Sequence, residues 1–68
     1  MTSRELQAER LNRGFSRRAL AREIDVPEQT LRRVEADLRI SPHYAKRIAD
    51  YFGIRVTDLP QFVEQAAA

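Results

Sequence analysis

The segment SRRALAREIDVPEQTLRRVEA, residues Ser16 to Ala36, decides the fold of this chain. It predicts two short helices joined by a tight turn. Ser16 is a candidate N-cap of the first, and Asp25 lies in the turn, where aspartate tolerates left-handed backbone better than most residues. Pro27 fits the first turn of the following helix, where a missing N–H costs little. The inward stripe of the first of these helices consists of Leu20, Ala21 and Ile24.

The second of these helices has one polar side and one apolar side. At about 100° per residue its polar residues fall within an arc of roughly 140°, while Leu31 and Val34 point the opposite way. The polar set is Glu28, Gln29, Arg32 and Arg33. Such side chains can read guanine, adenine and cytosine edges. The alternative is an ordinary solvated face with an internal Glu28–Arg32 pair.

Arg17 and Arg18 favour nucleic-acid binding over a solvated face. They lie at the N-terminus of the preceding helix, where backbone N–H groups and the helix dipole attract a phosphate. Cations at this position are mildly unfavourable for the helix itself. Their placement is explained if an anion is the partner, because each neutralised phosphate releases counterions.

Two further helices are expected after this segment. Ser41 and Pro42 form a cap-then-proline start, and Gly53 ends that fourth helix. Its apolar positions recur at i, i+3, i+4 and i+7. Thr57 can cap a fifth helix, with Pro60 in its first turn. The inward residues are Ala45, Ile48, Ala49 and Phe52 in the fourth helix, and Leu59, Phe62, Val63 and Ala66 in the fifth.

The first helix is marked at both ends. Thr2 or Ser3 caps it, and it runs to about Arg13, after which Gly14 gives a stop signal. Because the connections between the predicted helices are all short, we expect a compact bundle. The sequence therefore predicts an all-α fold of five helices, without strands, as a single domain over residues 1–68.

Composition and charge exclude several classes of protein. The 68 residues include no cysteine, so a disulfide or a cysteine metal site is ruled out. No apolar run approaches the roughly 20 residues that span a bilayer, and the N-terminal segment lacks an apolar signal sequence. The net charge is +2, and eleven of the twelve cations are arginine. A GC-rich coding sequence explains the preference for arginine, but not its clustering between Arg13 and Arg39.

Neither catalysis nor metal binding is predicted. His43 is the only histidine, and no second ligand has metal spacing with it. No carboxylate pairs with a nucleophile, a glycine-rich loop or a second acid in a recognisable motif. We expect no enzymatic activity, cofactor, small-molecule ligand or membrane partner. Packing is expected for the aromatic residues Phe15, Tyr44, Tyr51, Phe52 and Phe62.

From about Leu6 to Leu59 the chain resembles the XRE-type helix-turn-helix domains of the lambdoid phage repressor and Cro family. The matching positions are Leu6, Arg10, Gly14-Phe15-Ser16, Leu20-Ala21, Ile24, Val26, Thr30-Leu31, Val34-Glu35, Pro42, Ile48-Ala49, Phe52-Gly53-Ile54 and Val56. The resemblance implies a lambda-repressor-like domain with its helix-turn-helix at helices 2 and 3. It also implies a double-stranded DNA operator as partner and a Cro-like phage or prophage repressor that blocks transcription. Such a protein is expected in the bacterial cytoplasm or nucleoid, or in an infected host cell.

The resemblance assigns roles to individual residues. Base reading falls to Glu28, Gln29, Arg32 and Arg33. Contacts with the DNA backbone fall to Arg17, Arg18, Thr30, Arg39 and His43. Arg10 and Glu35 match a structural ion pair between the first and third helices. Val56, Thr57 and Asp58 are the candidate contact of a homodimer, formed in solution or only on DNA.

The chain departs from the family pattern at three positions. Asp25 stands at the turn glycine, so glycine does not set the angle between the two reading helices. Pro27 replaces the usual serine or threonine cap. Glu28 is acidic where DNA approaches, and it either reads cytosine, orients Arg32 or penalises wrong sequences. Of these roles we favour the orientation of Arg32.

Two other functions remain open at this point. An antitoxin-type protein-interaction module of the same fold would carry an exposed apolar or acidic patch for its partner, for example on the last helix. An architectural or excision-type DNA-binding protein would bend DNA and bind in tandem. Neither alternative requires the base-reading residues to prefer one sequence.

Overall fold

The computed structural model describes residues 1–60, and this part of the chain contains four α-helices, one 3-10 helix and no strand. The α-helices are α1 (Ser3–Asn12), α2 (Arg17–Ile24), α3 (Glu28–Glu35) and α4 (Pro42–Phe52), and the 3-10 helix is Val56–Asp58. The predicted all-α class is therefore confirmed. None of the helices in residues 1–60 has the length and apolar character needed to cross a membrane.

Hydroxyl side chains start three of the four α-helices. The Thr2 hydroxyl accepts a hydrogen bond from the Glu5 backbone N–H, and the Glu5 carboxylate accepts one from the Thr2 N–H. Ser16 and Ser41 cap α2 and α4 in the predicted way. The start of α3 differs, because Pro27 occupies the N-cap position itself, one residue before the predicted first turn, and makes no side-chain cap.

Residues with left-handed backbone conformation lie at the ends of α2 and α3. Asp25 has φ 59° and ψ 51°, so α2 ends in the conformation that glycine usually provides. Asp37 repeats this after α3 with φ 62°, and the Leu38 N–H closes the turn on the Arg33 carbonyl at 2.8 Å. Both turns therefore have an aspartate at a position where helix C-termini usually have glycine or asparagine.

The core lies where the four α-helices and the segment after the 3-10 helix meet. The most buried large side chains are Leu6, Leu20, Leu31, Val34, Ile48 and Leu59. The predicted inward positions of α3 and α4 are confirmed, whereas Ile24 in α2 is only half-buried. Phe15, Tyr44 and Tyr51 pack at the edge of this core. Helix α3 is thus fixed by its apolar side, because Leu31 and Val34 are fully buried.

The prediction of five helices is corrected to four α-helices within residues 1–60. Thr57 does not cap an α-helix; it lies inside the 3-10 helix, which the Asp58 carboxylate closes by accepting from the Arg55 N–H at 3.2 Å. Leu59 then adopts extended backbone, the conformation favoured before a proline such as Pro60. Its side chain is fully buried, as expected. The predicted inward residues Phe62, Val63 and Ala66 lie outside the described residues.

Candidate nucleic-acid interface

Helix α3 turns its polar side to solvent. Gln29, Arg32 and Arg33 are exposed, and the Arg32 side chain retains 62% of its accessible surface. The opposite side packs against α1 and α2. Because the helix is anchored along one side only, the exposed side chains form a single continuous face that a ligand can approach.

Glu28 lies at the start of this face and contacts two arginines. Its Oε1 accepts a hydrogen bond from Arg32 Nη2 at 2.9 Å. The same oxygen is 3.9 Å from Nε of Arg17, the first residue of α2. Glu28 therefore bridges the polar face of α3 and the N-terminus of α2. The contact with Arg32 fits both an orienting role and an ordinary surface pair.

Arg33 is held at the other end of the face. Its Nε donates to the Arg39 carbonyl oxygen at 3.0 Å, so the side chain ties α3 to the loop before α4. This bond brings Arg33 and the exposed Arg39 to the same end of α3. Arg33 is predicted to contact a base and Arg39 to contact the DNA backbone. The two residues are therefore neighbours at this end of α3.

The N-terminus of α2 presents Arg17 and Arg18. Arg18 is exposed, and the Arg17 side chain keeps 40% of its surface. Arg17 leans toward α3, since its Nη1 is 3.9 Å from Glu35 Oε1 in addition to the contact with Glu28. The positive charge at the start of α2 therefore lies beside the face of α3.

Arg10 and Glu35 form a buried pair at the inner end of α3. Arg10 donates from Nε to Glu35 Oε2 at 2.7 Å and from Nη2 to Oε1 at 3.2 Å. Its Nη1 donates to the Phe15 carbonyl at 2.8 Å. The two side chains are 6% and 4% exposed. The pair fastens α1 to α3 and to the loop that leads into α2.

These contacts join into a series of alternating charges, here called the charge network. It runs from Arg10 through Glu35, Arg17 and Glu28 to Arg32. One end is buried and the other is the most exposed arginine of the series. The network therefore links the core to the surface.

Three groups of predicted site residues lie apart from the charge network. Thr30 is only 7% exposed and offers little surface to a phosphate. His43 is exposed at the start of α4, with its ring 5.2 Å from that of Tyr44. In the 3-10 helix Val56 is half-buried, whereas Thr57 and Asp58 are exposed. No cluster of side chains suited to a metal ion occurs among residues 1–60.

Arg47 is a positioning residue that the sequence did not reveal. From α4, its Nη1 donates to the Asp25 carbonyl at 3.1 Å and to Asp25 Oδ2 at 2.9 Å. It thereby holds the turn between α2 and α3 at the residue that replaces the family glycine. The two residues are 22 positions apart, and no local pattern links them.

Arg13 has a structural role, although it belongs to the predicted arginine cluster. Its guanidinium lies 5.1 Å from the ring centroids of Tyr51 and Phe52. Hydrogen bonding to Tyr51 and then to Glu9 raises the pKa of Arg13 above its usual value. The cation therefore covers aromatic surface at the end of α1.

The helix-turn-helix family model matches residues 6–59, more than three quarters of the chain. The match begins at buried Leu6 and ends at buried Leu59, so it includes α2, α3 and all the buried residues named above. Comparisons with curated proteins and with solved structures gave no match.

Proposed function

The chain belongs to the helix-turn-helix family, and from this premise we propose that it is a sequence-specific, Cro-like transcriptional repressor that binds double-stranded DNA. The family is one of DNA-binding transcription regulators. Sequence-specific binding is supported by the exposed face of α3. This face has Gln29, Arg32 and Arg33, and the other side of the helix is fully buried. A helix fixed in this way presents these side chains from a backbone of fixed orientation.

The proposed base-reading element is α3, placed in the major groove. A major groove about 12 Å wide admits one α-helix. Arg32 and Arg33 would donate to O6 and N7 of guanine, and Gln29 would pair with N6 and N7 of adenine. The hydrogen bond that Arg32 donates to Glu28 supports this proposal for Arg32, because it restricts the orientation of the guanidinium before DNA arrives.

The proposed clamp on the DNA backbone is the N-terminus of α2, with a second contact before α4. First-turn N–H groups have no acceptor within their own helix, so the start of α2 attracts phosphate, and Arg17 and Arg18 add positive charge there. Arg39, next to Arg33, and His43, at the start of α4, are exposed and would meet another phosphate. Repression then follows if the bound protein blocks the polymerase from the same DNA.

A homodimer on DNA is also proposed. Two copies in contact through Val56, Thr57 and Asp58 would place their α3 helices in successive major grooves, about 34–36 Å apart. Thr57 and Asp58 have the exposure that such a contact needs. A palindromic binding site would support the dimer, and an isolated half-site would support a monomer.

Amide chemical-shift mapping tests the proposed interface without knowledge of the operator. Isotope-labelled protein is titrated with a duplex of random sequence at low salt. We expect the shifts to concentrate at the exposed face of α3, at Arg17 and Arg18, and near Arg39. Shifts confined to other helices, or no shifts at all, would contradict the interface. The absence of shifts would favour the antitoxin-type module.

A further inference from the structure

One carboxylate oxygen stands between the two cationic parts of the proposed interface. Oε1 of Glu28 contacts Arg32, a base-reading candidate on α3, at 2.9 Å, and lies 3.9 Å from Arg17, a backbone-contact candidate on α2. The Glu28 side chain is 33% exposed, so an approaching nucleic acid meets its negative charge. The interface thus contains an anion at the point where it is proposed to bind a polyanion.

We propose that Glu28 is a specificity-determining residue that selectively weakens binding to non-cognate DNA. This inference rests on the proposed function. Non-specific binding comes almost entirely from contacts between cations and phosphates. A carboxylate beside both arginines repels those phosphates and partly neutralises the cations that would bind them. This electrostatic penalty applies to every DNA sequence. Selectivity therefore requires contacts that offset the penalty only at the cognate site.

The cognate complex can offset the penalty through base contacts. Glu28 keeps Arg32 oriented for guanine, and its carboxylate can accept a hydrogen bond from N4 of a neighbouring cytosine. Both contacts require bases at the correct positions, and phosphates alone supply neither. Specificity is a difference between affinities, and a repulsive group that is compensated only at the correct site increases that difference.

Glu35 does not share this role, although it is equally close to Arg17. Its Oε1 lies 3.9 Å from Arg17, but both of its oxygens accept from Arg10 and its side chain is 4% exposed. A carboxylate that is buried and has both oxygens paired with one guanidinium is not accessible to DNA. Glu28 is the exposed carboxylate of the charge network, and its charge faces the ligand.

Glu28→Gln tests the proposal, with Glu9→Gln as the matched control. Glu9 also pairs with an arginine four residues away, Arg13 at 3.3 Å, and its side chain is 40% exposed, but it lies on α1. Both substitutions remove one negative charge and keep the size of the side chain. The dissociation constants are measured for a random-sequence duplex and for a duplex enriched by selection, over a range of salt concentrations.

We expect Glu28→Gln to tighten binding to the random duplex about fivefold at 0.15 M salt and to steepen the salt slope by about one, the contribution of one additional phosphate contact. Binding to the enriched duplex should gain less or weaken, so the ratio of the two affinities falls. Glu9→Gln should shift both affinities by one small common factor. Thermal unfolding of each variant establishes that it is folded.

Glu28→Asp separates the charge from its position. It keeps the negative charge but shortens the reach toward Arg32, so binding to random DNA should stay weak while binding to the enriched duplex weakens. Equal effects of Glu28→Gln and Glu9→Gln on random DNA would overturn the proposal. If wild-type protein bound every duplex equally, the proposed repressor function would fail instead. The comparison on random DNA would still decide whether Glu28 opposes non-specific binding.

Discussion

Two arginine–glutamate pairs lie at opposite ends of α3 and differ in their surroundings. At the inner end Arg10 and Glu35 meet at 2.7 Å, with side chains that are 6% and 4% exposed. At the outer end Arg32 and Glu28 meet at 2.9 Å, with side chains that are 62% and 33% exposed. The two distances are nearly equal, so distance alone does not distinguish their roles.

Exposure to solvent separates the two pairs. A buried charge that loses its partner cannot be hydrated, so breaking such a pair costs about 3–5 kcal/mol. An exposed pair contributes about 0–1 kcal/mol, because water replaces the partner. The inner pair therefore holds α3 in place, and the outer pair is free to exchange protein contacts for DNA contacts. One helix therefore carries both a structural pair and an exposed pair.

Breaking the inner pair should have the largest effect. Glu35→Gln leaves the Arg10 charge buried without a counterion, and we expect the free energy of unfolding to fall by about 3–5 kcal/mol in urea denaturation. Glu28→Gln should lower it by less than about 1 kcal/mol. If Glu35→Gln unfolds the protein, the double variant Arg10→Met with Glu35→Leu should recover much of the stability. Equal losses for Glu35→Gln and Glu28→Gln would contradict a structural role that is confined to the inner pair.

Removing a base-reading candidate should change selectivity and leave the core unaffected. Arg33→Ala is expected to relax base preference and cost about 1–3 kcal/mol on the best site. The measurement compares dissociation constants for the enriched duplex and for duplexes with single base changes. Arg32→Ala serves as a companion variant, since Arg33 also bonds the Arg39 carbonyl. A uniform loss on all sequences would contradict base reading by Arg33.

Replacement of Arg17 tests the middle of the charge network, between the buried pair and the exposed pair. Arg17→Ala should weaken binding to all sequences and lower the salt slope by about one, because one phosphate contact is lost. Lys46→Ala is the control, since Lys46 pairs with Asp50 on its own helix at 2.9 Å. A salt slope that stays unchanged in Arg17→Ala would remove its proposed phosphate contact.

Arg47 and Asp25 provide an intermediate case, with side chains that are 38% and 91% exposed. Arg47→Gln loses the ion pair with the Asp25 carboxylate and the hydrogen bond to the Asp25 carbonyl, and we expect a loss of about 1 kcal/mol in the free energy of unfolding. Lys46→Gln, which breaks an exposed pair within α4, should cost about 0.3–0.5 kcal/mol. Thermal unfolding of both variants gives the comparison. A larger loss for Lys46→Gln would contradict a role of Arg47 in holding the turn.

The smallest expected effect concerns a fully exposed carboxylate. The hydroxyl and backbone N–H of Thr2 hold the pKa of Glu5 below its usual value. The unfolded state therefore binds this proton at higher pH than the folded state, so stability falls as the pH drops through the folded pKa. Glu5→Gln should remove this part of the acid dependence, as measured by thermal unfolding over a pH series. An unchanged acid dependence would contradict the assignment.

Local signals predicted most of the fold. Ser16 and Ser41 cap helices, Gly14 and Gly53 end them, and each signal acts within one turn of backbone. The predicted cap at Thr57 shows the limit of such signals. Thr57 lies inside a 3-10 helix, and Leu59 is extended before Pro60.

The candidate site was predictable where it depends on a single helix. The common face of Gln29, Arg32 and Arg33 follows from helical periodicity alone. Two contacts depend on tertiary packing. Arg47 reaches Asp25 because α4 packs beside the turn between α2 and α3, and Arg33 reaches the Arg39 carbonyl in the loop before α4. Tertiary packing sets those positions, and no local rule encodes them.

Selection from a random duplex pool at about 0.15 M ionic strength, with sequencing of the bound fraction, tests whether α3 reads DNA bases. We expect the wild-type protein to enrich a defined motif, and Arg33→Ala to lose its preference at one or more positions of that motif. Half-sites about 10 bp apart would identify the dimer. Salt-sensitive binding without any enriched sequence would contradict base reading by α3 and the repressor function with it.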